Sequence, residues 1–506
     1  MRRLLLSISL FLLAAIALSA QGAAQAAAPA GEFRGVWIHL PTGVGDWGWD
    51  KSIRVLSEQG FNAIFVNLAW AGCSDYPSRV LTPHPTLRQK DGTCRDLLRE
   101  CLEACHKYGV QLHVWIVACN AGEHTPKSVR EKFREAGRLQ EAADGEDDKC
   151  YIAPQHPANI RMLADAVTEI LANYDVDGIH LDYIRYPLGQ YDYSKRARRD
   201  FQQAIGRRVD HWPQDCQKGG PLWERFSQWR RDNITNLVRR VRHAIRRSRR
   251  PKTPLSVAVY GLWAGARVSV AQDAAAWIDE GLVDFICPMN YSADAMDADY
   301  WLRLQIKDVA GRVPIYTGLA AYQCKDAAAL AGQIHDARRY GADGFILFQY
   351  RPPLSDKWLS ELHKSAVPGW SAAPYAHQIK GVSCQWRRFA ARDSLVRPWY
   401  QMSGDVLECR VEIPERLMGA GRVKCTVMLD GRPWRAPEIT ERSAPGQYVF
   451  AFTADDAGIY RLRLEWTGRD GKPCAWQSTT ARVHLLPGDL AGFYLGKWFL
   501  PGLTLF

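Results

Sequence analysis

Between Phe33 and Gly369, eight short apolar runs alternate with stretches of helical period, and this alternation limits the fold more than any other feature. The runs cover 33–39, 62–68, 110–118, 176–182, 255–260, 283–290, 313–319 and 344–349. Runs that are apolar throughout suit strands buried on both faces, as in a parallel sheet. The stretches between them, such as 96–108, 157–174, 223–248, 273–280 and 326–340, read as helices. Several stop at a glycine turn just before the next run, as in Tyr108-Gly109-Val110 and Tyr340-Gly341-Ala342. Eight βα units in this span predict an α/β fold, a (β/α)8 TIM barrel with insertions in its βα loops.

After about Ser371 the pattern changes. Alternating runs at 406–413, 423–429, 447–452, 458–466 and 479–485 are separated by turns such as Asp430-Gly431 and Asp470-Gly471. They predict a C-terminal immunoglobulin-like β-sandwich. Asp456-Ala457-Gly458-Ile459-Tyr460 fits the corner before a late strand of such a fold. The expected organisation is a signal peptide at 1–28, the barrel at 33–370, the accessory sandwich at 376–486 and an apolar, aromatic tail at 487–506.

The signal peptide is read from Arg2 and Arg3, the apolar run Leu4 to Ala20, and the A-x-A site Ala24-Gln25-Ala26. It predicts a secreted or periplasmic protein. No cysteine precedes Cys73, which excludes a lipid anchor at the cleavage site. No later stretch offers the ~20 apolar residues that span a bilayer, so no stable membrane insertion is expected after cleavage. Export permits disulfides among the 13 cysteines, and Cys73, Cys94, Cys119 and Cys150 near predicted loops are the candidates. Cys101, Cys105 and Cys287 read as buried thiols. The Cys101, Cys105, His106 cluster lacks the paired spacing of a zinc module, so neither a metal nor another cofactor is expected.

The formal charge of +11 favours an anionic partner such as an acidic or cell-wall polymer. Much of the excess lies between Arg239 and Lys252, which reads as a solvated helix face. No nucleic-acid-binding signature accompanies it, so a nucleic-acid partner is not expected.

In such a barrel, function gathers where strands end. The fourth run ends Asp177-Gly178-Ile179-His180-Leu181-Asp182-Tyr183-Ile184-Arg185. Period-two alternation puts His180 and Asp182 on one face, with His180 a layer below. An aspartate closing an apolar strand is costly unless used. The competing structural role is an ion pair with Arg185. Asp177 reads as a cap at the opposite end. The other run ends supply His39, Asn67, Trp70, Trp115, Asn120, Glu123, Tyr260, Asn290, Tyr291, Asp294 and Gln349. Indoles to stack on sugar rings, amides and phenols to bond hydroxyls, and carboxylates for chemistry describe a glycan site.

Phe33-Arg34-Gly35-Val36-Trp37, Tyr76-Pro77-Ser78, His113-Val114-Trp115-Ile116, Asp175 to Asp182, Trp229-Arg230-Arg231-Asp232-Asn233 and Val283-Asp284-Phe285-Ile286 together resemble the glycosyl-hydrolase-like family 10 of secreted bacterial barrels. The resemblance implies glycoside hydrolysis of a polysaccharide or cell-wall glycan, including the glycan strands of peptidoglycan. Tyr183 stands where that family often has a second aspartate, and Asn290 departs from its sixth-strand pattern. A chitinase-like mechanism would need a glutamate at Ile184. Glycoside hydrolysis normally uses two carboxyl groups. Asp182 is the first, and Asp294 and Glu123 are both candidates for the second. The alternative reading is a non-catalytic glycan-binding barrel.

Overall fold

In the computed structural model the described residues run from 32 to 368, except 148, 190 and 293, and continue in separate pieces from 383 to 484. The signal segment and the tail expected from the sequence lie outside them. All eight apolar runs form strands, in order: β1 (Phe33–Ile38), β2 (Ala63–Trp70), β3 (Gln111–Val117), β4 (Gly178–Asp182), β5 (Leu255–Tyr260), β6 (Phe285–Met289), β7 (Tyr316–Ala320) and β8 (Gly344–Phe348). Each is parallel to its neighbours, and β1 pairs with both β2 and β8, which closes the barrel.

The strands are mainly apolar because both faces are buried. Outward residues such as Val36, Ile64, Val114, Ile179 and Val257 pack under the helices. Inward residues Phe33, Phe65, Phe285 and Tyr316 fill the barrel. Phe33 stacks on Tyr316 at 4.0 Å between ring centres. Each large side chain buried this way contributes about 1.5–3 kcal/mol.

The helices follow the expected signals. In Leu97–Tyr108, Asp96 caps the start by accepting from the Arg99 N–H at 2.9 Å, and Gly109 ends it at φ 68°. Its buried residues Leu98, Cys101, Leu102 and Cys105 repeat at helical spacing. The basic stretch around Arg239 is more than a solvated face. Arg239 pairs with Glu280 at 2.7 Å, buried Arg242 with Asp284 at 2.5 Å, and Arg250 with Asp175. Asp177 caps the closed end of the barrel, accepting from the Leu112 N–H at 2.9 Å.

The C-terminal pieces form two sheets. One holds Ser383–Phe389, Asp405–Glu412, Gln447–Ala454 and Glu438–Glu441, all antiparallel. The other is built on Gly458–Thr467, flanked by Lys424–Leu429, Pro473–Gln477 and Ala481–His484. Leu407, Cys409 and Phe450 from the first share one apolar cluster with Val427, Leu462 and Leu464 from the second. At the corner the sequence picked out, the Tyr460 hydroxyl donates to the Asp456 carbonyl at 2.7 Å.

The cysteine expectation needs correction. Cys73, Cys94, Cys119 and Cys150 are all free thiols. Cys73 and Cys119, the latter in the loop after β3, are buried, and burial pushes both thiols up to about 12. Cys101, Cys105 and Cys287 are buried free thiols, as read. No helix among the described residues is long and apolar enough to cross a membrane.

Candidate active site

The fourth strand meets the open end of the barrel at Asp182. Gly178 starts the strand because a Cβ there would run into the His113 ring. Two residues on, His180 is fully buried. Its Nε2 accepts from the Trp37 indole N–H at 3.3 Å, so the ring proton sits on Nδ1, 2.9 Å from Ser256 Oγ. Burial pushes its pKa well below the usual range, and the ring stays neutral. His180 is thus a strut under the site, and its expected contact with substrate is not supported.

Asp182 lies one layer above, 6% exposed. Tyr183 then adopts φ 48°, a left-handed turn unusual for a non-glycine residue. The turn folds the Tyr183 N–H back onto Asp182 Oδ1 at 2.5 Å. Arg185 adds a longer contact at 3.4 Å to the same oxygen. Burial raises the carboxyl above its ordinary value, and Arg185, the Tyr183 N–H and His39 oppose it without cancelling it. The Arg185 guanidinium lies over the Tyr183 and Tyr260 rings at 4.2 and 4.7 Å. The ion pair anticipated as a structural role therefore exists, at the mouth itself.

Beside Arg185 opens a cavity of about 390 Å³, walled by Tyr260, Leu262, Met289, Tyr291 and Trp301. Tyr291 also stacks on Phe348 at 5.3 Å. Burial, followed by the charge of Asp182, pushes its phenol well above the usual range. On the opposite wall, the ring of His39 meets Trp115 at 5.3 Å and Trp70 at 5.8 Å. Dense packing around this ring, ahead of all other influences, lowers its pKa, although its outer edge is open to solvent.

Asn67 is 1% exposed and stands in register with Trp115. Neither its amide nitrogen nor its amide oxygen has a hydrogen-bond partner among the described residues. Leaving such a group unpaired costs about 1–3 kcal/mol. Asn120, half-buried after β3, also has an unmatched amide oxygen. Gln349 is half-buried just beyond β8.

Three other expectations fare differently. Asn290 is committed internally: its side chain exchanges hydrogen bonds with Gln305 at 2.7 and 3.0 Å and donates to Thr317 at 3.0 Å. It braces the wall and has no reach to spare for a substrate. Asp294 is exposed and caps the helix Ala295–Val309, accepting from the Met296 N–H at 2.8 Å. Glu123 is exposed on the loop after β3. Neither shares the desolvated setting of Asp182.

The sequence reading missed Asp75 and His124. Asp75, 2% exposed after β2, lies with Oδ2 3.0 Å from His124 Nε2 on the loop after β3. The available signal was its place just before Tyr76-Pro77-Ser78.

Comparison with known proteins bears on the family and the fold. The model of the family described as glycosyl hydrolase-like 10 matches residues 32–334. Glycosyl hydrolase YngK of Bacillus subtilis (strain 168) is 24% identical over 334 residues, 58% of this chain and 61% of the relative. Glycosyl hydrolase DigH of Escherichia coli (strain K12) is 25% identical over 300 residues, 53% of this chain and 64% of the relative. The chain thus spans about three-fifths of the length of these relatives. Among solved structures, the PgaB (BpsB) glycoside hydrolase domain from Bordetella bronchiseptica aligns with TM-score 0.50 at 14% identity, covering 67% of this chain and 99% of that domain. The catalytic domain of β-amylase from Paenibacillus polymyxa aligns with TM-score 0.50 at 13% identity, with the same coverage. Both are likenesses of fold.

Proposed function

The chain belongs to the glycosyl hydrolase-like 10 family, and we propose that it is a secreted or periplasmic glycoside hydrolase cleaving O-glycosidic bonds of a polysaccharide. The observation that carries this reading is Asp182: a desolvated carboxyl with a raised pKa at the end of the fourth strand, paired with Arg185, which lines a cavity. A raised carboxyl suits a general acid that protonates the departing sugar oxygen. Arg185 and the Tyr183 N–H hold the carboxylate left after that transfer. Trp70, Tyr260 and Tyr291, each part-exposed, offer faces for sugar rings, whereas Trp115, 3% exposed, packs in the barrel core, and Asn67 offers unmet hydrogen-bonding capacity.

The net charge of +11 suits an acidic or cell-wall polymer, and peptidoglycan glycan strands are the first substrate to test. The C-terminal sheets read as an immunoglobulin-like accessory domain, supported by the Tyr460 corner. New reducing ends released from glycan strands by the wild-type protein test the activity. A competing reading, a glycan-binding barrel without turnover, is favoured by the exposed settings of Asp294 and Glu123. Binding without any release of reducing ends would select it. Export is tested by sequencing the N-terminus of protein from the producing cell. A new start between 21 and 29 is expected, and an intact Met1 in the cytoplasm would overturn it.

A further inference from the structure

Asp75 and His124 form a pair outside the immediate setting of Asp182. Asp75 is fixed: its N–H donates to the Leu68 carbonyl at 2.9 Å, and its side chain is buried. Its Oδ2 lies 3.0 Å from His124 Nε2. The His124 ring is sandwiched, stacked on Trp70 at 5.1 Å and on His84 at 4.8 Å. Thr125 ties the next step of the loop to the Ala71 carbonyl at 3.2 Å. Yet the ring keeps 27% exposure.

The placement connects this pair to Asp182. Trp70 also packs on His39, and His39 on Trp115. His39 is close enough to feel the charges of both Asp182 and His124. A run of ring contacts, His124 on Trp70 and Trp70 on His39, therefore links the pair to the surroundings of the carboxyl. Among the described residues, no three of His, Cys, Asp and Glu stand together as a metal site would need. A buried carboxylate holding one nitrogen of a partly open imidazole is the arrangement that fixes a tautomer and leaves the other nitrogen basic.

We propose that His124, oriented by Asp75, is the second proton-handling group of the reaction, the base that activates water. This rests on the glycosidase reading above. His124 donates Nε2–H to Asp75 and presents the Nδ1 lone pair. Nδ1 takes a proton from water as the water oxygen bonds to the anomeric carbon. The glycosidic C–O bond breaks, its electron pair stays on the leaving oxygen, and Asp182 supplies that oxygen's proton. Water and glycoside become a hemiacetal and an alcohol. The imidazolium then loses its proton and Asp182 regains one through solvent. His124 would be a catalytic residue and Asp75 a positioning residue.

The test compares wild type, Asp182→Asn, His124→Gln and Asp75→Asn. Probes are peptidoglycan glycan strands, chitin oligosaccharides, xylan and mannan, with reducing-end release read against pH. Glutamine can still bond Asp75 but cannot accept the proton. His124→Gln should lower kcat by about 10²–10⁴-fold with KM and melting temperature nearly unchanged. The acidic limb of the kcat–pH profile should vanish with it. Asp75, His84, His39 and the neighbouring Glu123 are the titratable groups around His124, so that limb is assigned by its loss in the variant. In Asp75→Asn the histidine remains but loses its anchor, and a smaller fall in kcat with a displaced limb is expected. If His124→Gln does not fold, Asp75→Asn decides by the same two readouts. Wild-type kcat and an intact limb in these variants, with Asp182→Asn inactive, would overturn this inference and leave the glycosidase reading standing. Wild-type protein that releases no reducing ends from any probe would overturn both.

Discussion

Replacing Asp182 by asparagine separates catalysis from support. The attraction between Asp182 and Arg185 at 3.4 Å is about 5 kcal/mol at an effective dielectric of 20. Removing a carboxylate from water costs several kcal/mol, so the two nearly cancel. The raised pKa indicates that burial wins. Asparagine keeps an oxygen for the Tyr183 N–H and for Arg185 and loses only the charge. Asp182→Asn should therefore change stability by less than about 2 kcal/mol, in the stabilising direction at neutral pH. Alanine removes the acceptor as well, strands the buried Arg185 and should cost about 3–5 kcal/mol. The pH dependence has a definite sign. A carboxyl whose folded pKa lies above 3.8 favours folding fully below the unfolded value, and this contribution is lost as pH rises through the folded value. The stability advantage of asparagine over wild type should open across that window and be absent below it. Turnover should fall by at least about 10²–10⁴-fold for the loss of one acid. Thermal melts at several pH values, with reducing-end assays on the same preparations, measure both. Wild-type turnover per folded molecule in Asp182→Asn would refute the catalytic assignment. Melting as low as the alanine variant would refute the electrostatic argument.

Asn67→Leu removes an unmatched buried amide, so it should raise stability by about 1 kcal/mol while raising KM on the cleaved glycan. Lower stability by urea titration, or an unchanged KM, would show that the amide is satisfied within the protein. A chain ending at about Gly369 should melt cooperatively, because the apolar cluster of the C-terminal sheets is formed from their own residues. Aggregation of the truncated protein, seen by light scattering, would show that the barrel depends on its C-terminal extension.

The barrel was legible because parallel strands buried on both faces must be apolar, and eight such runs leave few other folds. Asp182 was legible for the converse reason: a carboxylate ending such a run is costly unless it meets the mouth. His180 and Asn290 have the same appearance in sequence and a different fate. Their partners, Ser256 and Gln305, lie 76 and 15 residues away. An inward polar group reads alike whether a ligand or a neighbouring element satisfies it, and only closure of the barrel tells the two apart. Asp294 could have been read differently, since an aspartate directly before a helical stretch is a cap before it is a catalyst.

Asp75 and His124 show where local reading stops. They are 49 residues apart, each in a loop with no periodic signal of its own. They meet because β2 and β3 are adjacent and parallel, so the loops after them leave the barrel at the same end. That adjacency also places Trp70, at the end of β2, against the His124 ring. A parallel barrel turns order along the chain into neighbourhood around a rim, which a strand-by-strand search for polar ends does not use. Pairing the loops of adjacent strands narrows the search to two loops, and the contact of Asp75 with His124 within them is seen only in the folded chain.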